Sequence, residues 1–544
     1  MAKMLLILPP HKADLNSFLK PYWSVVRIPP IGLFLLKAYL ESQGHEAKVA
    51  DCRRLITEGR SNNYTEMVLK EIEDYKPDVV GINAITAIFN NAKTLCNHIK
   101  NKYPSTPVIL GGVHPSVEPY LSLEECESAD AVCIGAGEEV CLDILDHSSI
   151  AGIKGLMVQG RESKEYTPRK PEMNLDKYPF PTYPEYYSQV STHLTGWIYR
   201  GVQTMTSRSC PYSCKFCASD WSKPARSHSA EYVIEMAKAI SIGVDGILFA
   251  DDTIALNRER IEKICKGFIR NKIFYPHTNV RWVALVRANQ ADKELLNLMK
   301  QAGCHHLGIG IESGSQRMLD IINKKITVET NRKAVEATKE VGLGVTLSFI
   351  IGIPEETEAD MEKTIEFMKK AYCNGLGVGT FRPLPGSPFY REFKENGSKE
   401  VKEYLRNWDN LGDFSIPPKY LFCQVNRATF TRILDKAYNL AYANQWNIVS
   451  DGFYNNNTNL VKSIAKKTPI RTCYGDNYPS HNHKKVRVVN FNMVMERTSV
   501  WFYLRLPSKL QRKIKLTVER LTRVKRLKWL LWRYSDTDLW EESK

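Results

Sequence analysis

The sequence predicts an α/β protein in three successive parts, on two observations. Two separate runs of short apolar strands alternate with amphipathic helices, which predicts two largely parallel sheets. A strap dense in proline and tyrosine parts them, and helix alone follows the second run. The expected parts are a doubly wound, Rossmann-like domain over 1–155, a linker over 156–198, a partial (βα)6 barrel of the TIM type over 199–392, and a mainly helical region over 393–544.

The first domain opens on the apolar run 5–8, stopped by Pro9 and Pro10. That run is far too short for a secretory core or a membrane span, so it reads as a buried strand. Further strands are expected over 46–51, 78–84, 107–112 and 131–135, with helices over 30–44 and 64–75. Sheets of this kind bind ligands over the carboxyl ends of their strands. Those ends carry Pro9, Asn83, Thr86, Gly111, Gly112, His114, Gly135 and Glu138. No G-x-G-x-x-G follows the first strand, which speaks against a dinucleotide. In the strap, Pro179, Pro181 and Pro184 forbid helix or central strand, and Tyr178, Phe180 and Tyr183 are expected to pack on a neighbouring domain.

The second alternation places strands over 202–206, 246–250, 281–286, 306–311, 344–351 and 376–381, with helices such as 230–240, 291–302 and 328–341. Barrels keep functional residues at the carboxyl ends of their strands. Directly after the first strand stand Cys210, Cys214 and Cys217. Soft sulfur at such spacing suits an iron–sulfur cluster or zinc. A closed zinc site wants four ligands, usually in two pairs, and no second C-x-x-C lies nearby. Three thiolates therefore suggest a four-iron cluster with one iron left open. Asp251 and Asp252 end the second strand, where carboxylates accept from a ligand ammonium or cap the next helix. Glu312 and Ser313 end the fourth strand, Gly352 the fifth, and Pro385 follows the sixth. Arg226 and Arg287 read as exposed bases held in structural salt bridges. The adjacent His305 and His306 point to opposite faces of a strand and do not make a metal pair.

The cysteine array, with Phe216 before its last cysteine, and the four strand-end motifs behind it resemble the radical S-adenosylmethionine (radical SAM) enzymes. The resemblance implies that Cys210, Cys214 and Cys217 hold a 4Fe–4S cluster that cleaves SAM to a 5′-deoxyadenosyl radical. It implies a SAM pocket lined by Phe216, Asp251, Asp252, Glu312, Ser313, Gly352 and Pro385, and a Tyr212 that projects between cluster and corrin. The first domain is similar to the cobalamin-binding domain that precedes the barrel in one large radical SAM class. The matching pieces are Pro-Pro-Ile-Gly-Leu (29–33), Gly-Gly-Val-His-Pro-Ser (111–116) and Gly-Ala-Gly-Glu-Glu (135–139), with Ala136 a departure from the family's usual glutamate. Cobalamin is then expected at the strand ends of that domain. No D-x-H-x-x-G occurs, so no axial histidine is expected, and His114 belongs near the corrin and not on cobalt. The activity implied is that of the class B radical SAM methyltransferases, methylation of an unactivated carbon. Oxidative cyclisation or rearrangement on the same fold is the rival, and a non-catalytic iron–sulfur or cobalamin carrier the remote one.

Thirteen cysteines without a regular framework argue for a reducing compartment, and a cytoplasmic enzyme is expected. The net charge of +15 admits an anionic partner. Much of it lies over 507–533, where Leu510, Ile514, Leu521, Val524, Leu527 and Leu531 share one helical face and Arg512, Arg520, Arg523 and Arg526 the rest. Such a helix docks on the protein's own core, the reading favoured, or lies on the inner face of a membrane. No stacking-aromatic module accompanies the charge, so no nucleic acid is expected. The expected partners are a small-molecule, lipid or peptide substrate and a one-electron reductant such as flavodoxin or ferredoxin.

Overall fold

The computed structural model describes residues 1–11, 29–59, 63–160, 166–183, 186, 190–192, 198–219, 223–244, 246–412 and 418–443. They belong to one compact unit, Met1–His11 with Arg27–Gln445. The basic segment 507–533 and the tyrosine- and asparagine-rich stretch 454–459 lie outside the described residues.

The first sheet holds β1 (Lys3–Leu8), β2 (Glu46–Asp51), β3 (Val79–Asn83), β4 (Val108–Gly111), β5 (Ala131–Cys133) and β6 (Leu156–Val158). Their order is β2-β1-β3-β4-β5-β6, parallel except for β6, which runs antiparallel against β5. The helices are α1 (Ile31–Ser42), α2 (Cys52–Gly59), α3 (Tyr64–Tyr75), α4 (Phe89–Lys102), α5 (Val113–Val117), α6 (Pro119–Glu125) and α7 (Glu138–Asp146). β1 has no polar alternation because the sheet is covered on both faces; Met4, Leu5, Leu6 and Ile7 are all buried. Strand order reverses at β1, the switch point beside which such sheets take ligands. β6 falls beyond the expected boundary at 155, because three residues are too few for a periodic signal.

A second sheet follows. β7 (Val190–Thr192) pairs antiparallel with β8 (Ile198–Thr204), and a two-stranded ribbon joins β9 (Ser207–Arg208) to β10 (Arg226–Ser227). Then come β11 (Gly246–Phe249), β12 (Arg281–Val286), β13 (Cys304–Glu312), β14 (Gly344–Ile351) and β15 (Gly375–Thr380). The order β15-β14-β13-β12-β11-β8-β7 contains the six expected parallel strands in sequence. Between them run α8 (Ala230–Ile240), α9 (Arg258–Arg270), α10 (Lys293–Gln301), α11 (Gln316–Ile321), α12 (Val328–Val341) and α13 (Glu358–Lys370). Val345, Leu347, Phe349 and Ile351 of β14 face those helices in the largest core.

The chain continues as α14 (Pro388–Asn396), α15 (Lys399–Arg406), α16 (Trp408–Gly412) and α17 (Arg427–Ala443). α17 extends the barrel's own core, burying Phe430, Ile433, Leu434 and Ala437. α14 and α16 reach back to the first domain: Lys394 Nζ binds Glu118 at 2.6 Å, and Trp408 Nε1 donates to Glu125 at 3.0 Å. The strap joins both domains. Tyr183 donates to the Gln203 carbonyl at 2.5 Å and sets its ring edge-on to Phe34, while Tyr186 donates to Asp51 at 2.6 Å.

Candidate active site

β8 delivers the chain to the cysteine loop, and the loop is braced from several elements. Asp251, fully buried at the end of β11, accepts from Thr206 N at 2.9 Å, from Thr206 Oγ1 and from Ser207 Oγ. Burial raises its carboxyl above the ordinary range, against those bonds. Arg260 of α9 donates to the Thr206 carbonyl at 2.8 Å. Farther along, Lys215 N donates to the Ile322 carbonyl at 2.9 Å, and Phe389 N to the Lys215 carbonyl at 3.0 Å. The loop is therefore held at its start and again at Lys215.

Within it Cys214 is buried and Cys210 and Cys217 are half-buried, and none forms a disulfide. Burial pushes the Cys210 and Cys217 thiols up, so their thiolates need a positive charge to form. Donors point at the sulfurs. Ser219 N lies 3.5 Å from Cys217 Sγ, and Arg287 Nη1 lies 3.6 Å from Cys214 Sγ. Three thiols on one rigid loop, with N–H groups aimed at two of them, fit a 4Fe–4S cluster. Among the described residues no group of three or more His, Cys, Asp or Glu gathers as a single-ion site.

A row of small residues crosses the second sheet. Gly310, Ser348 and Gly377 lie abreast on β13, β14 and β15, and Ser348 is exposed although its strand is central. Small side chains leave room over Ser348, with half-buried Ile350 two residues farther along the same strand. Room of this kind on the sheet that bears the cysteine loop fits SAM. Asp252 is exposed and takes a hydrogen bond from Ser219 Oγ at 3.3 Å.

Most other residues expected to line the SAM pocket are engaged elsewhere. Asp251 braces the loop from beneath. Glu312 is paired with Lys324 Nζ at 2.6 Å, both side chains buried. Ser313 bonds Thr364 and receives Ser315 N within its own turn. Gly352 has φ +88, and a Cβ there would stand 2.7 Å from Phe430 of α17. Phe216 packs against the cluster of Met318, Leu319, Phe381 and Phe389. Pro385 is buried, and the neighbouring Gly386 abuts Val117 and Ala218. Arg226 and Arg287 correct the surface reading, since both are buried. Arg287 meets Cys214, not a carboxylate, and Arg226 donates to the Glu172 carbonyl at 3.0 Å. Tyr212 lies under Arg287, whose guanidinium carbon is 3.6 Å from its ring centre.

The carboxyl edge of the first sheet carries the expected small residues. A Cβ on Gly135 would meet nothing within 4 Å, and one on Gly111 only Cys133 at 3.9 Å. That open glycine edge fits a flat macrocycle such as cobalamin. Gly112 is glycine for the chain's sake, because at φ +104 a Cβ would strike the Ala84 carbonyl at 2.8 Å. Pro9 is buried behind β1, and Asn83 is half-buried opposite Gly111. Glu138 is not turned to a ligand. It pairs with Arg208 of β9 at 2.5 Å, two residues before Cys210. His114 is fully enclosed, its ring 4.0 Å from that of Phe89 and 4.6 Å from that of Trp408, with Nδ1 3.2 Å from Thr86 Oγ1. Burial lowers its pKa to about 3, so the ring is neutral. Lys324, Ser348 and Arg208 escaped the sequence reading, since nothing in their local pattern marks them.

The comparisons agree with this geometry. The family model of the Radical SAM superfamily matches residues 204–368, and that of the B12 binding domain matches 24–145. An uncharacterized methyltransferase of Pyrococcus horikoshii is 30% identical over 472 residues, covering 85% of this chain and 97% of that protein. The anaerobic magnesium-protoporphyrin IX monomethyl ester cyclase of Rubrivivax gelatinosus is 25% identical over 385 residues, 67% of this chain and 66% of the relative. Among solved structures, the radical SAM methyltransferase TsrM of Kitasatospora setae, with cobalamin and a [4Fe-4S] cluster bound, superposes with a TM-score of 0.59 at 18% identity, covering 73% of this chain and 78% of that one. The chain's cofactors are a 4Fe–4S cluster, SAM and cobalamin. With both domains matched and one methyltransferase aligned over nearly its whole length, the chain belongs to the cobalamin-binding radical SAM methyltransferase family.

Proposed function

We propose that the protein methylates an unactivated carbon of a small-molecule, lipid or peptide substrate, drawing its electron from a flavodoxin- or ferredoxin-class carrier in the cytoplasm. One observation carries the reading: the cysteine loop and the glycine edge of the first domain are bolted together. Arg208 of the loop's first strand is paired with Glu138 at the head of α7, and the Gly386 turn touches both Val117 and Ala218. A protein that used its two cofactors independently would have no need of this junction.

When bound, the cluster, SAM and cobalamin supply radical generation and methyl carriage. The chain's own residues do the rest. Cys210, Cys214 and Cys217 would hold the cluster, and Asp251 and Arg260 fix the loop that bears them. The room over Ser348 and Gly377 would give SAM a place against the sheet, and exposed Asp252 offers an acceptor for an ammonium group. The Glu312–Lys324 pair closes the floor beside Gly310, where any Cβ would strike Glu312 Oε1. Aromatic packing around His114 keeps that ring itself out of water. Holding reactants in line and dry is what such chemistry asks of a protein.

The test is anaerobic purification from cobalamin-supplemented cells, with metal analysis, then turnover with methyl-labelled SAM. About four irons and about one cobalt per chain, with label in the product, is the expected result. A product formed without label would replace methyl transfer by cyclisation, the reaction named for the R. gelatinosus relative. Iron without cobalt would remove the main support for methylation.

A further inference from the structure

We propose that Arg287 is the fixed countercharge of the cluster-bearing loop, a positioning residue that steadies the Cys214 thiolate and makes the cluster easier to reduce. The inference rests on the assignment of the three cysteines as cluster ligands.

Arg287 follows the last residue of β12 and is 6% exposed. A guanidinium cannot shed its proton in a protein, and a buried cation without an anion is costly. Among the described residues no carboxylate pairs with it. Nη2 donates to the Lys324 carbonyl at 2.5 Å, Nη1 faces Cys214 Sγ at 3.6 Å, and the plane lies on the Tyr212 ring at 3.6 Å. Nε is buried without a partner. The lysine whose carbonyl it binds, Lys324, has its own charge already matched by Glu312 at 2.6 Å. One positive charge is thus left over, clamped by neutral groups and aimed at a ligand sulfur. A neutral thiol does not offset it, whereas a thiolate bound to iron does. Reduction by an external one-electron donor adds a further negative charge to the cluster, so a cation fixed in contact with its ligand favours the reduced form.

The arrangement predicts opposite effects in the empty and loaded protein. Arg287→Met removes a charge that has no partner until the cluster binds. The full-length variant without iron should unfold at or above the wild-type temperature. The loaded variant should lose iron to a chelator at least several-fold faster, and its cluster potential, from an EPR-monitored redox titration, should lie below that of the wild type. Arg287→Lys should restore most of the potential. A loaded methionine variant with wild-type potential and wild-type iron retention would overturn the proposal. So would an iron-free methionine variant that is destabilised or fails to fold, since the arginine would then be only a brace for Lys324 and Tyr212. A wild-type protein that takes up no iron would instead refute the cysteine assignment beneath it.

Discussion

Asp251 and Glu356 are both fully buried acids in the loops that follow strands, and their partners separate them. Asp251 holds the cysteine loop through Thr206 and Ser207. Glu356 accepts from Gly352 N at 2.6 Å and Ile353 N at 3.1 Å, while its Oε1 has no partner. Burial carries its pKa from 4.5 to about 8. The native protein therefore keeps a proton that the unfolded chain gives up, and this group costs stability as pH rises from about 4.5 to about 8. Each unit of such a displacement is worth about 1.4 kcal/mol. Glu356→Gln keeps the two acceptor bonds and removes the ionisation. Denaturant melts across that window should show the variant gaining on the wild type as pH climbs; parallel curves would mean that Glu356 ionises normally. Cys214→Ala should leave no SAM cleavage, read as 5′-deoxyadenosine release, while the first domain stays folded by circular dichroism. Release at the wild-type rate would remove Cys214 from the ligand set.

At the scale of elements, α17 is the piece whose place the sequence concealed. It seals the edge of the second sheet by driving Phe430 against Gly352, whose φ of +88 already favours glycine. Gly352→Ala combines a disfavoured backbone with an overlap against a fully buried ring, a cost of about 1–3 kcal/mol. Adding Phe430→Leu should recover the overlap part and leave the backbone part, as thermal unfolding can show. A double variant no better than the single one would mean that the strain is all in the backbone. The room over Ser348 on β14 is likewise a property of the element, because only the strand pairing brings Gly310, Ser348 and Gly377 side by side.

At the scale of the whole molecule, the first domain and the barrel are joined through a largely buried charged pair. Arg208 and Glu138 have side chains only 15% and 5% exposed. Breaking such a pair from one side strands a charge, at about 3–5 kcal/mol, whereas removing both partners costs far less. Arg208→Met and Glu138→Gln should each weaken cobalamin binding to the loaded protein more than the double variant does. Additive losses in that cycle would show that the two side chains act independently. The contacts of α14 and α16 with Glu118 and Glu125 make the C-terminal helices part of the same junction.

The parallel strands and the cysteine loop were legible in the sequence because each leaves a local mark. Strands buried on both faces read as apolar runs, and a cluster loop reads as cysteines at fixed spacing. Strands such as β2, β12 and β14 stand where their runs predicted, and the comparisons bear out the radical SAM and cobalamin-binding parts. Short edge elements such as β6 and β7 left no mark, three residues being too few for a period. The roles of individual side chains were legible less often. A carboxylate at a strand end looks the same in sequence whether it meets a ligand or a buried arginine. Only the tertiary structure gave Asp251 to the loop, Glu138 to Arg208, and Arg287 to Cys214. The division has a physical cause: fold and cluster motif follow from neighbours along the chain, whereas the partner of a buried charge is set by residues far off in sequence.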